Sequence, residues 1–171
     1  MKQSIKRIFN IFTTLIVTAA VLLAVLLVGV RLFGLQIFMV QSGSMEPAYQ
    51  TGSLIYVKEV DTSELTEGDV ITFYLNGDMV ATHRIVEVVE DSGNIRFRTK
   101  GDANDVVDGS LADAADVIGT PVFTIPKLGF LVAYIQQPPG RYVAISVGAG
   151  ILLAFVLVDT LLEGKKKEET N

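Results

Sequence analysis

The feature that most restricts this chain is the segment from Ile11 to Val30, which contains no charged residue. A helix needs about 20 apolar residues to cross a hydrocarbon core of roughly 30 Å, and this stretch meets that length. Lys2, Lys6 and Arg7 stand before it and Arg31 follows it. A cleaved signal peptide also begins with basic residues and an apolar run, but its apolar core is only about 7 to 15 residues long. No small-residue cleavage site precedes Arg31, so the segment reads as a retained anchor.

A second apolar stretch runs from Tyr142 to Val158 and continues past Asp159 through Leu161 and Leu162, with Lys165, Lys166 and Lys167 directly after it. It lies near the short end of the spanning range, and Asp159 would sit close to an interface, where a charge costs less than at the bilayer centre. Basic residues flank the outer end of both stretches. The positive-inside rule then places both termini in the cytoplasm and the middle of the chain outside. The expected layout is a cytoplasmic start (1–10), a span (11–30), an extracytoplasmic domain (31–141), a second span (142–162) and a basic cytoplasmic tail (163–171).

The middle of the chain reads as mainly β. Ser53 to Val60 is rich in Ile, Tyr and Val, and Ile71, Phe73 and Leu75 alternate with Thr72 and Tyr74. That is the period of a half-buried strand. Asn76-Gly77 supplies residues that tolerate positive φ in a tight turn, so the chain is expected to return as a hairpin through Val80 to Val89. Asp91-Ser92-Gly93-Asn94 predicts another turn, Ile95 to Lys100 a further strand, and Val117 to Ile125 a last one. Between them, Gly101 to Asp116 is acidic and irregular. Leu35 to Val40 and Leu128 to Tyr134 are apolar enough to face a membrane.

Composition removes several kinds of chemistry. With no cysteine, the chain has no disulfide scaffold, no thiolate nucleophile and no thiolate-bound metal. One histidine excludes a polyhistidine site, leaving only a carboxylate site for a hard cation such as calcium in Gly101 to Asp116. A net charge of −5 does not suit a nucleic-acid binder.

Three features of the middle could carry a reaction: Ser42-Gly43-Ser44-Met45-Glu46-Pro47, the sole histidine in Thr82-His83-Arg84-Ile85, and Lys100-Gly101-Asp102-Ala103-Asn104-Asp105 with Asp108 after it. A serine hydroxyl needs a base to take its proton, histidine is suited to that, and an aspartate on the far ring nitrogen fixes the tautomer. Each feature also has an ordinary reading, as a turn, a core histidine or a solvated acidic loop. A membrane-anchored β module that binds an envelope partner would account for them equally at this level.

These stretches resemble boxes of the type I signal peptidases, in the endoplasmic-reticulum-type branch. Ser42 to Pro47 is similar to the nucleophile box, and Gly68-Asp69-Val70-Ile71-Thr72-Phe73 to the strand that follows it. His83-Arg84 falls where the bacterial branch has a general-base lysine, and Lys100-Gly101-Asp102 with Asn104 and Asp108 resembles the last box. The likeness covers the first span and nearly all of the middle. It implies a signal-peptidase-like β domain and a serine endopeptidase acting on signal peptides with Ala-x-Ala-type sites, without cofactor or metal. By the same likeness Ser44 would be the nucleophile, with Ser42 and Ser44 forming the oxyanion hole. His83 would be the general base; Asp108 sits at the spacing of the triad aspartate in the eukaryotic branch and Asp102 matches the aspartate of the Gly-Asp box that supports the site, while the sequence leaves open which of the two touches His83. Where the family has an acidic residue after Gly52, this chain has Ser53, expected on a surface strand.

Overall fold

A computed structural model describes residues 2–77, 79–91 and 93–168. Of the expected turns and tails, Ser92 and residues 169–171 lie outside the described residues. The chain divides into two units, one of residues 1–24 with 131–171 and one of residues 25–130.

The first unit is helical. It holds most of α1 (Lys2–Leu27) and all of α3 (Gly140–Glu168). Arg7–Leu27, with mean hydropathy 2.4, and Gly140–Leu157, with 1.9, are long and apolar enough to cross a membrane by length and composition. Between the β domain and α3 runs α2 (Leu128–Gln136).

The second unit is built on seven antiparallel strands: β1 (Leu35–Met39), β2 (Leu54–Lys58), β3 (Val70–Asn76), β4 (Met79–Asp91), β5 (Asn94–Lys100), β6 (Ala112–Asp113) and β7 (Val117–Ile125). Their order is β1-β2-β7-β3-β4-β5-β6. The expected hairpin is present as β3 and β4, in a register that runs from Val70 opposite Arg84 to Tyr74 opposite Val80. The last strand, β7, joins two sets of strands that do not otherwise pair. Its later part, Thr120 to Ile125, lies against β2, and its first part, through Val117 and Gly119, lies against β3. At this changeover Gly119 has φ +150°, and a Cβ there would stand 2.0 Å from the Lys58 carbonyl oxygen. Only glycine permits such a close approach of two backbones.

Period-2 burial builds the core on both sides of that changeover. Ile71, Phe73, Ile85 and Phe97 close one cluster with Leu65 and Ala112. Ile55, Val57 and Ile118 form the other, with Phe38, Val40 and Tyr49 packed on it. Phe73, Phe97 and Tyr56 are the largest fully buried side chains, each stabilising by about 1.5–3 kcal/mol on the scale of apolar transfer.

Three expectations change. Leu35 to Val40 begins as strand β1, and Phe38 and Val40 pack inward on the second cluster instead of forming an outward patch. Leu128 to Tyr134 is a helix, α2, where a loop was expected, and its Phe130, Leu131 and Tyr134 are about half exposed, as an apolar patch there would have them. Ser53 is buried, not on the surface, and its carbonyl receives the Val40 N–H where the chain enters β2.

Candidate active site

The loop between β1 and β2 is closed at its base by Val40 N–H to Ser53 O (2.9 Å) and Gly52 N–H to Val40 O (2.8 Å). Inside it, Glu46 N–H donates to Gly43 O and Tyr49 N–H to Met45 O, while the Glu46 carboxylate accepts from the Thr51 amide and hydroxyl. Met45 is buried to 2% exposure and pins the loop to the domain. Its neighbour Ser44 is thereby held at the surface of the domain on a loop with little freedom to move.

Ser44 Oγ stands 3.1 Å from His83 Nε2, and His83 Nδ1 stands 2.6 Å from Asp108 Oδ2. A carboxylate can only accept, so Nδ1 carries the proton and Nε2 is left to accept from the serine hydroxyl. Three residues from the β1–β2 loop, β4 and the loop after β5 thus form one line of hydrogen bonds. Their sequence order, Ser, His, Asp, is one among the several orders a triad can take. The His83 and Asp108 side chains are only 16% and 19% exposed, so solvent competes weakly for these bonds.

Asp102 does not touch His83. Its carboxylate takes a two-pronged bond from Arg84, Nε to Oδ1 at 2.8 Å and NH2 to Oδ2 at 2.7 Å, while Arg84 NH1 donates to the Gly68 carbonyl. The bond to Asp102 raises the Arg84 pKa, with burial opposing it. Burial also pushes the nearby Tyr49 phenol up, Arg84 pulling it back and Asp102 adding to the rise. The geometry therefore separates the two candidate acids. Asp108 contacts the histidine, and Asp102 braces the loop that carries Asp108.

That loop is fastened directly to the serine. Ala103 N–H donates to the Ser44 carbonyl at 2.9 Å, and Asn104 N–H turns back to Gly101 O. Gly101 is the contact point, since a Cβ at this position would lie 2.6 Å from Ser44 O and 2.8 Å from Asn104 Nδ2. Ser42 Oγ lies 3.3 Å from Ser44 Oγ on the exposed side of the loop.

Beside the serine opens a cleft of about 580 Å³. Its walls are Phe38 and Met39 of β1 with Val40 just after it, and Met79 to His83 of β4, with Ser42 and Ser44 at one end and Tyr49 and Ile55 among its apolar lining. Both flanking strands have an unused edge among the described residues. β1 pairs only with β2, and β4 pairs with β5 only from Arg84 onward.

Among the described residues no group of three or more histidines, cysteines, aspartates or glutamates could hold a metal ion. Asp102 and Asp108 have the partners given above, and Asp113 faces Arg96 at 3.6 Å. Sequence reasoning passed over one residue in contact with the site, Thr99, whose hydroxyl donates to Asp108 Oδ2 at 2.6 Å. The only signal for it was its place on the strand that leads into Lys100-Gly101-Asp102.

Part of the chain is similar to known proteins. Residues 12–93 match the family described as signal peptidase, peptidase S26. The chain is 50% identical over 72 residues to signal peptidase I W of Bacillus subtilis (strain 168), covering 42% of this chain and 38% of that protein. It is 33% identical over 126 residues to the signal peptidase complex catalytic subunit SEC11C of Homo sapiens, covering 67% of this chain and 66% of that one. The catalytic subunit SEC11 of Pyricularia oryzae is 31% identical over 110 residues, covering 59% and 64%. The chain thus spans from 38% to about two thirds of the curated relatives it matches.

Proposed function

We propose that the chain is a membrane-bound serine endopeptidase of the signal peptidase S26 family, which residues 12–93 match, and that it removes N-terminal signal peptides from exported preproteins. The observation that carries the reading is the continuous hydrogen-bonded line from Ser44 through His83 to Asp108. A non-enzymatic β module would have no reason to bring these three side chains into register.

The unpaired edges of β1 and β4 suit an extended peptide, which adds to a sheet edge through its backbone and inserts alternate side chains into pockets. Apolar walls including Phe38, Val40 and Ile55 then select small side chains of Ala-x-Ala type before the scissile bond. Ser44 Oγ attacks the scissile carbonyl carbon while His83 Nε2 takes the hydroxyl proton. Negative charge develops on the carbonyl oxygen, where the Ser44 backbone N–H and the Ser42 hydroxyl stabilise it. His83 passes its proton to the leaving amine, and the acyl-enzyme remains. Water, deprotonated by the same Nε2, attacks the ester carbonyl, the bond to Ser44 Oγ breaks to release the cleaved signal peptide, and Nε2 returns the proton to Ser44. Throughout, Asp108 holds the imidazole in the required tautomer and balances the imidazolium charge. Asp102 acts at one remove, through Arg84 and the loop that touches Ser44.

In this reading 11–30 and 142–162 span the cell membrane, 31–141 lie outside it, and 1–10 and 163–171 face the cytoplasm, as the basic flanks require. A substrate whose apolar core is already in the bilayer then reaches Ser44 by diffusion in two dimensions. The test is processing of a preprotein in membranes carrying either wild type or Ser44→Ala. Cleavage by wild type alone is the expected result, and equal cleavage by the two removes the protease reading.

A further inference from the structure

Asp108 stands in an irregular stretch whose neighbours give it little support. Val106 and Val107 just before it are 74% and 45% exposed, so packing does not hold the loop at this point. What holds it is one residue on the adjacent strand β5. The Thr99 carbonyl accepts the Asp108 N–H at 2.8 Å, and the Thr99 hydroxyl donates to Asp108 Oδ2 at 2.6 Å. Backbone and side chain of the acid are thus tied to the same residue.

The hydroxyl meets the very oxygen that receives His83 Nδ1–H. A carboxylate with a single donor can turn about its last torsion, which is broad and weakly hindered. Two donors on one oxygen restrict that freedom. Thr99 is itself immobile: it is fully buried, sits opposite Ile85 in the β4–β5 register, and is β-branched, which narrows its first torsion. We propose that Thr99 is a positioning residue, a fourth member of the line, which fixes the Asp108 carboxylate in the orientation that receives the His83 proton. Its kinetic consequence rests on the protease reading above.

A buried hydroxyl must have a partner in any case, so satisfaction of Thr99 alone is the competing explanation. Thr99→Val keeps the shape and β-branching and removes only the donor, while Thr99→Ser keeps the donor and removes a methyl group. Two quantities separate positioning from packing in the full chain in detergent micelles: kcat and KM for a preprotein, and solvent exchange of the imidazole Nδ1–H. The second is assigned without ambiguity because His83 is the sole histidine. Thr99→Val is expected to lower kcat about 10- to 100-fold, the scale of a misplaced catalytic group, with KM nearly unchanged. It is also expected to speed exchange of Nδ1–H, and Thr99→Ser restores both. Wild-type kcat and slow exchange in Thr99→Val overturn the proposal, as does equal loss in the two variants. Should Ser44→Ala process preproteins as well as wild type, the protease reading falls, while the exchange measurement still decides whether Thr99 holds Asp108.

Discussion

Gly101→Ala tests how tightly the acid-bearing loop must sit against the nucleophile. The added methyl would lie 2.6 Å from the Ser44 carbonyl oxygen and 2.8 Å from Asn104 Nδ2, where ordinary contact starts at 3.4 Å. The Asn104 amide can swing aside. Ser44 O is backbone, in a loop zipped at its base and pinned by buried Met45, so the strain falls on the joint between the two loops. Relief takes a separation of roughly 1 Å, and a displacement of that size in a catalytic array costs about 100-fold in rate. The same shift stretches the 2.9 Å bond from Ala103 N–H to Ser44 O beyond hydrogen-bond range. Overpacking of this kind costs about 1–3 kcal/mol of stability, so the domain remains folded while the line from Ser44 to His83 lengthens. The assay is single-turnover cleavage of a preprotein beside a thermal melt of the same samples. A rate within about twofold of wild type, or a rate loss explained wholly by unfolded protein, would refute the argument that this contact sets the position of Ser44.

The two acids should separate in the same assay. Asp108→Asn takes the charge from His83 and is expected to lower kcat by about 10²- to 10⁴-fold with a nearly unchanged melt. Asp102→Asn breaks the two-pronged bond to Arg84 and is expected to lower the melting temperature as well as the rate, so the reverse pattern would exchange their roles. Acidification should reduce kcat, because a protonated His83 has no lone pair on Nε2 to accept the Ser44 proton. Arg84 cannot be the source of that limb. Its pKa is raised in the folded state, so its contribution to stability is fully present below the ordinary guanidinium value and is lost only as pH climbs through the raised one. Loss of activity without loss of the folded domain is the expected acid-side behaviour, and an activity profile with no acid limb would remove His83 as base.

Alternation and turn chemistry made much of the β domain readable. Ile71, Phe73 and Ile85 point to one core, and Asn76-Gly77 marks the hairpin that delivers His83. The strand β1 was hidden because Leu35 to Val40 follows an apolar span and lacks a polar alternate face, so its pairing with β2 has no local signature. For α2 the difficulty is similar, since Leu128 to Ile135 is apolar on nearly every side and carries no periodic stripe. The acids were ambiguous for another reason. Asp102 and Asp108 share an irregular loop without strand or helix period, and only the fold shows that Arg84 takes one and leaves the other to His83. A threonine before the Lys100-Gly101 turn reads as an ordinary strand residue until its hydroxyl is placed beside a carboxylate.

The changeover at Gly119 also sets an order of events during synthesis. Ser44 is carried between β1 and β2 and His83 lies on β4, and among the described residues these two sets of strands share strand pairing only through β7. A nascent chain that has delivered both residues, and even Asp108, still lacks the strand that seats one half beside the other. Long-range strand pairing of this kind is the slow part of folding. If the chain is the protease proposed above, cleavage competence is expected to arrive late, when Val117 to Ile125 enters the sheet, and a nascent chain stalled before that strand is expected to carry every reactive side chain without a working site.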